Sequence, residues 1–598
     1  MSVRVSSNKP LDFGDSGITG SVDDDGCLIA LNTYHPTLGY ATLTAAEPFP
    51  DSERYNQAAV RAYRAGLARL RGFGLRVDAP VRHRSFELAG SAIPRIRIDY
   101  TTGTLTVTTL AVEGGAVQVC DAHGVTPEWR GRLSLQRCAY TQLTEGGPIP
   151  APPLAVRAHY DGNALTIENP ALELAVALVG LEGGSPQSIS ADTPVELVLP
   201  ARDGHTVLVY GFGPNIERAL RQAQRIRAGV EQRGADQLLH EAASIWQRRL
   251  VNIPEDPLLR RGLVYCAQLA VPVGDTVCLL TDHMLLPLSW NRDAYYMALA
   301  LLSWNLPETR DLVRRHLYWM FEQAERHAGA WGRCYLANGL AKDHAFQLDQ
   351  QLYPLLELAE YLLATGDGDT RAQLAPHVAP VIDMLLARRS PDCGLFPTDE
   401  TPADDPIALP YHLSSHILFW RVCKKLQQAG IEGPWDELAD DLRSGIARHF
   451  IAERDGVTLY AYATDGRGNH HFYHDANDLP LALAPYWGFI PPDDAIWRAT
   501  MDFAFSDANT GGAYGGQLGS VHTPAPWPLG DIQELLFAGV TGDTQRGERA
   551  RSRLWHAAQR DGALPEAYDP ITGEVVSRHW FGWPNAAYAV YILGGFVE

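Results

Sequence analysis

From residue 255 to the end, almost every apolar run of this chain has helical spacing. "LLRRGLVYCAQLAV", "AYYMALALLSW", "LDQQLYPLLELAEYLLATGD" and "SSHILFWRVCKKLQQAG" belong to the series, and "DIQELLFAGVTGDTQRGERARSRLWHAAQR" and "WPNAAYAVYILGG" close it. Only a large all-helical core can bury so many apolar faces. About a dozen helices are expected, joined alternately by short turns and by long loops rich in Gly, Pro and aromatics. Helical hairpins in that number predict an (α/α)6 barrel with its long loops at one end.

Before residue 214 the texture differs. In "PRIRIDYTTGTLTVTTLAV", Ile96, Ile98 and Tyr100 alternate, the pattern breaks at Thr102-Gly103, and Leu105 and Val107 resume it. Many short strands with Gly, Asn and Asp turns predict a sandwich rather than a parallel sheet. Residues 214–254 are charged and helical, which predicts one or two linking helices. The expected chain is therefore a multidomain β + α protein. An antiparallel β-sandwich occupies 1–213, a helical linker 214–254 and an (α/α)6 barrel 255–598.

Composition limits the function. At 598 residues the chain is too long for one small core, and 46% hydrophobic with 20% charged residues is ordinary for a soluble protein. A net charge of −20 argues against nucleic acid or an anionic membrane as partner and favours a neutral substrate. The opening "MSVRVSSNKPLDFGDSG" has no apolar leader pattern, and no run of about 18 apolar residues suits a membrane span. Eight cysteines are scattered without a CxxC pair, so no disulfide framework or zinc knuckle is expected and a reducing cytoplasm fits. A homo-oligomer is left open.

Four segments concentrate chemistry. "LPLSWNRDAYY" puts Trp290, Arg292 and Asp293 at the mouth of an apolar helix. "GLFPTDETPADDPIALPYHLSSH" crowds Asp399, Glu400, Asp404 and Asp405 before another. Such acids often serve as helix caps, yet crowding can also keep one of them protonated. "GNHHFYHDANDLPLALAPYWGF" offers His470, His471, His474, Asp475 and Asn477. Its spacing matches no standard ligand set, so neither metal nor cofactor is expected. "ALPEAYDPITGEVVSRHWFGWPNAAY" places Glu566 in a Pro-bounded loop with Arg578, Trp580 and Trp583. A Gly-rich loop carrying His522 and Trp527 lacks the pattern of a phosphate-binding loop. Twelve of the fourteen tryptophans lie at or after residue 290. Aromatic plates beside carboxylates suit a sugar, although large helical cores use Trp as well.

With these motifs in order, the C-terminal part resembles the six-hairpin glycosidases. "SWNRDAYY", "ADDPIALPYHLSSH", "HDANDLPLALAPYWGF" and "PEAYD" with "SRHWFGWPNAAY" resemble glycoside hydrolase family 125, the metal-independent exo-acting α-mannosidases. "GDSGITGSVDDDGCLIALNTYHPTLGY" resembles instead the opening of bacterial family 15 glucoamylase-type proteins. The resemblance implies an inverting exo-α-glycosidase acting on a terminal glucosyl or mannosyl residue. Asp404 would be the acid and Glu566 the base, with Asp399, Glu400 and Asp405 as alternative acids. Trp290, Arg292, Asp293, Asp475, Asn477, His522, Arg578, Trp580 and Trp583 would hold the sugar. A phosphorylase or transferase, or a non-catalytic carbohydrate-binding relative, are the alternatives on the same architecture.

Overall fold

The computed structural model of the chain describes residues 9–53, 56–137, 155–201 and 204–597; Cys138 and the first residues of the opening segment lie outside them. Between Leu11 and Gly213 the described strands form two antiparallel sheets of seven and nine strands. The alternation seen in the sequence sets the register. Strands Ile93–Tyr100 and Thr104–Val112 pair with Ile96 opposite Val107 and Ile98 opposite Leu105. These side chains are buried while Arg95 and Arg97 face solvent. The inner faces of the two sheets share one core that includes Leu31, Phe73, Ile98, Trp129 and Leu178. A short helix, α1 (Gln57–Leu67), lies on the crossing between strands of the seven-stranded sheet.

Residues 214–254, expected to hold one or two linking helices, form two helices. Helix α2 (Ile216–Arg233) packs on the outer face of the nine-stranded sheet, and α3 (Ala235–Arg249) follows it. The approach is close: a Cβ on Gly211 would stand 2.4 Å from the backbone nitrogen of Ala223, so a larger residue there would push the helix away.

The rest is mainly helical, with short two- and three-stranded antiparallel sheets in the loops: α4 (Pro257–Gln268), α5 (Asn291–Trp304), α6 (Pro307–Tyr318), α7 (Leu348–Thr365), α8 (Gly368–Leu374), α9 (Val378–Arg388), α10 (Leu413–Gln428), α11 (Trp435–His449), α12 (Leu479–Leu483), α13 (Ala495–Ala504), α14 (Pro528–Thr541), α15 (Thr544–Ala557) and α16 (Gly582–Leu593). Helix α5 packs on α7, α7 on α10, α10 on α12, α12 on α14, α14 on α16, and α16 returns to α5. The members of this circuit are buried on nearly all faces, as in α5, where every residue but Ser303 is buried. Apart from α4, which is buried nearly all round, the others pack outside it on an apolar stripe, as Leu438, Ala439, Leu442 and Ile446 show in α11. Among the described residues no helix is long and apolar enough to cross a membrane, and no disulfide forms.

A buried charge cluster ties the sheets to the helices. Lys9 pairs with Asp12 and with Asp561 (2.6 Å), and Arg261 reaches Asp12 (2.9 Å) and Asp561 (3.3 Å). Ser21 and the Trp580 indole also donate to Asp12, each at 2.8 Å. Removing one partner strands the others without water. Asp12→Ala is therefore expected to destabilise the fold by about 3–5 kcal/mol, read as a lower urea midpoint; an unchanged midpoint would show that the cluster relaxes freely. Burial alone would raise Asp12, but Lys9, His283 and Arg261 hold it well below the usual carboxylate range. Its stabilisation is thus present above the ordinary carboxylate pKa of 3.8 and lost as pH falls below it.

Candidate active site

Long loops precede the helices of the inner circuit, and their ends converge at one face. There a cleft with about 480 Å³ of empty space is lined by Trp290, Arg292 and Asp293 at the start of α5, and by Asp404 before α10. Asn477 before α12, His522 and Trp527 before α14, and Glu566, Arg578, Phe581 and Trp583 around the start of α16 complete most of the wall. Helix N-termini bring unpaired backbone N–H groups and a positive dipole end, which favours gathering carboxylates here.

Arg292 organises the floor. Its guanidinium donates to Asp349 (3.0 Å), Gln347 (3.4 Å) and Asp404 (3.5 Å), and it lies 4.9 Å over the ring of Trp583. Asn291 and the Arg292 backbone bond to Gln350 of α7, so the start of α5 cannot turn independently. Asp293 accepts from Thr281 at 2.5 Å, and burial pushes its carboxyl up to about 6.

Asp404 accepts from the Trp290 indole (3.0 Å) and from Gln347 (2.8 Å). Its φ of 64° is left-handed, a conformation uncommon for a non-glycine residue and one that aims the side chain into the cleft only because the loop fixes it. Burial would raise Asp404, yet Arg333, Arg292 and the Gln347 amide hold it below the usual carboxylate range. The neighbouring acids are placed differently. Asp399 is exposed, and Glu400 turns to Arg333 (2.9 Å) and Gln347 (2.9 Å), where burial raises it. Asp405 pairs with His522 at 3.3 Å in an adjoining outer cleft.

Glu566 is held by Arg578 (3.3 Å) and faces Thr523 (3.5 Å). Burial would raise it, but Arg578, His522 and Arg64 keep it below the usual range. Arg578, itself left-handed at φ 49°, also reaches Asp282 (3.2 Å), whose carboxylate accepts from the backbone of Met284, Leu285 and Leu286. Desolvation opposes the charge on His522, but the hydrogen bond to Asp405 and the charges of Glu566 and Asp404 raise it to about 9.

Two residues expected at the sugar lie elsewhere. Trp580 turns away to the Lys9–Asp12 cluster, since its indole donates to Asp12. Asp475 sits behind the wall, accepting from Tyr473 (2.5 Å), Ser520 (2.8 Å) and Asn477 (2.7 Å), so it orients Asn477 rather than touching the cleft. Burial and Asp478 push it up to about 6. The histidines of the same segment face separate partners: His470 the His449 carbonyl, His471 the Tyr473 ring, His474 Gln533. Among the described residues no three metal-ligating side chains converge. Sequence reasoning missed Arg64, Asp282, Gln347 and Asp349. The pattern "FQLDQQ" at the start of α7 repeats the polar-then-apolar signature of "SWNRDAYY" and is the signal that finds Gln347 and Asp349. Nothing local marks Arg64, which arrives from α1.

Residues 387–593 match the sequence model of the metal-independent alpha-mannosidases, family GH125. That stretch carries Asp404, Asn477, His522, Glu566 and Arg578 but not Trp290 to Asp293. The Meiotically up-regulated gene 157 protein of Schizosaccharomyces pombe is 26% identical over 206 residues, 32% of this chain and 40% of that protein. The chain thus spans less than half of the curated relative it matches. In structure, a bacterial glucoamylase complexed with acarbose superposes on 100% of this chain and 95% of its own, with a TM-score of 0.67 at 12% identity. A Streptococcus pneumoniae metal-independent alpha mannosidase covers 58% of this chain and 96% of its own at 20% identity, with a TM-score of 0.49. The chain has the overall fold of the bacterial glucoamylase, and a GH125 signature is confined to residues 387–593.

Proposed function

We propose that this chain is an exo-acting, inverting α-glycoside hydrolase that removes a terminal α-glucosyl or α-mannosyl residue. On this reading residues 255–598 form an (α/α)6 barrel, residues 1–213 a β-sandwich, and 214–254 the helices between them. One observation carries it. Asp404 precedes α10 and Glu566 precedes α16, three steps apart on the circuit of six packed helices, and both reach the same cleft. Two carboxyl groups entering from opposite sides suit an acid on the leaving oxygen and a base on the attacking water, which in inverting enzymes stand about 6.5–9.5 Å apart. Asp399, Glu400 and Asp405 point away from that cleft, which supports Asp404 as the acid.

Trp290 and Trp527 would pack on the C–H faces of the sugar ring, with Arg292, Asp293, Asn477 and Arg578 on its hydroxyls, while Trp583, buried with Arg292 over its ring and Tyr296 stacked on it, would act through its indole N–H. Trp583 and Arg578 each carry a buried N–H, Nε1 and Nε, that no group among the described residues accepts. A sugar oxygen is the complementary partner.

The test is turnover of matched α-glucosides and α-mannosides, with NMR of the anomer first released. β-Anomer first supports the reading; α-anomer first, or no turnover of either series, overturns it. A second reading, phosphorolysis, draws on Arg64, His522 and Thr523 gathered at Glu566; turnover that requires phosphate and yields a sugar phosphate would establish it instead.

The charge around Asp404 makes a further prediction. An acid held low by Arg333 is protonated only at acidic pH, so kcat/KM should fall as pH rises towards neutrality. Arg333→Gln removes the largest cationic influence on Asp404, and its descending limb is expected about 1 unit higher. A limb that stays in place would separate Asp404 from that ionisation.

A further inference from the structure

Beyond the inner cleft lies a larger one, with about 1330 Å³ of empty space, which shares Arg64, His522 and Arg578 with it. Its far wall is α1, a helix of the N-terminal half, resting against the hairpin strand Val575–Ser577. If the terminal sugar fills the inner cleft, the rest of the substrate must leave through this opening. Its charge is notable on a chain with a net charge of −20. Arg61 and Arg64 stand one turn apart on α1 and both line it, with His522 raised to about 9 and Asp405 as the one carboxylate in its lining. Arg578 is taken up by Glu566 and Asp282, and His522 by Asp405, whereas Arg61 makes no ion pair among the described residues.

We propose that this outer cleft binds an anionic group, a carboxylate or a phosphate ester, on the leaving-group side of the glycoside. A guanidinium grips such oxygens in a bidentate fashion, and a neutral sugar would leave Arg61 without a charge partner. The proposal rests on the glycosidase reading for its direction, since that reading places the terminal sugar in the inner cleft. It adds that the N-terminal half selects what is attached to that sugar.

The experiment compares 2-hydroxyethyl, carboxymethyl and 2-phosphoethyl α-glycosides of the accepted sugar. The full chain should turn over at least one anionic series with kcat/KM about tenfold or more above the neutral one, the gain of a charge-assisted contact. Which series wins separates carboxylate from phosphate. Arg61→Glu should collapse the ratio towards one, and Arg64→Gln should lower it. Equal turnover of neutral and anionic glycosides overturns the proposal while leaving the hydrolase reading intact, as does a ratio that survives Arg61→Glu. Binding is measured separately by titrating glycolate and inorganic phosphate into the protein. Millimolar binding to the wild type that Arg61→Glu abolishes supports the site even if no glycoside is hydrolysed. Absence of binding together with absence of preference overturns it, and so does phosphate that is consumed as a nucleophile.

Discussion

Glu566→Gln is expected to lower kcat on the best glycoside by ~10²–10⁴-fold, the usual contribution of a general base. The amide matches the carboxylate in shape, so the loop before α16 should keep its form. Arg578 retains Asp282 as a partner at 3.2 Å, which limits the cost of removing one anion. What is lost is the ability to take a proton from water. Arg578, His522 and Arg64 hold this carboxyl below its usual range, which favours the ionised form that a base needs. Azide needs no base, and in the variant it should restore turnover by attacking the anomeric carbon, giving a glycosyl azide of inverted configuration. Steady-state kinetics with a circular-dichroism check on folding measures this; a variant with near-wild-type kcat would remove Glu566 from the mechanism.

The parts of the fold legible from sequence are those where one face alone decides. The hairpin around Thr102-Gly103 was readable because a period of two leaves Ile96, Ile98, Leu105 and Val107 on one side. The inner helices were readable because they are apolar all round. Segment 214–254 was readable as helical, but its charge hides the small stripe Ala219, Ala223 and Val230 that seats α2 on a sheet. At the site, "WNRD" was legible since charge at the mouth of an apolar helix costs free energy unless it is paired. Its partners, Asp349 and Gln347, lie one helical hairpin away and leave no local mark beyond their own helix start. Trp580 illustrates the opposite error. It sits among site residues in the chain, yet its indole finds Asp12, 568 residues earlier. Arg64 is the mirror case, ordinary on α1 and informative only once α1 is seen at the cleft.

Asp404→Asn should be as damaging as the base variant but with a different signature. An acid matters in proportion to how badly the leaving group needs a proton. With an alkyl or sugar leaving group, kcat/KM is expected to fall ~10²–10⁴-fold. With a 2,4-dinitrophenyl glycoside, whose phenolate departs unaided, it should stay within about tenfold of the wild type. The one side-chain oxygen of asparagine can accept from either Trp290 or Gln347 but not both, while the left-handed turn at this position, which Asn tolerates as well as Asp, should persist. The descending limb of the pH profile should also disappear, because no proton remains to be lost at that site. Glu566→Gln must fail on both leaving groups, since water still has to be activated. Equal losses on the two substrates for Asp404→Asn would mean that its carboxylate positions Arg292 and Trp290 instead of delivering a proton, and the acid would then have to be sought in Asp293, which lines the same cleft and is already pushed up to about 6.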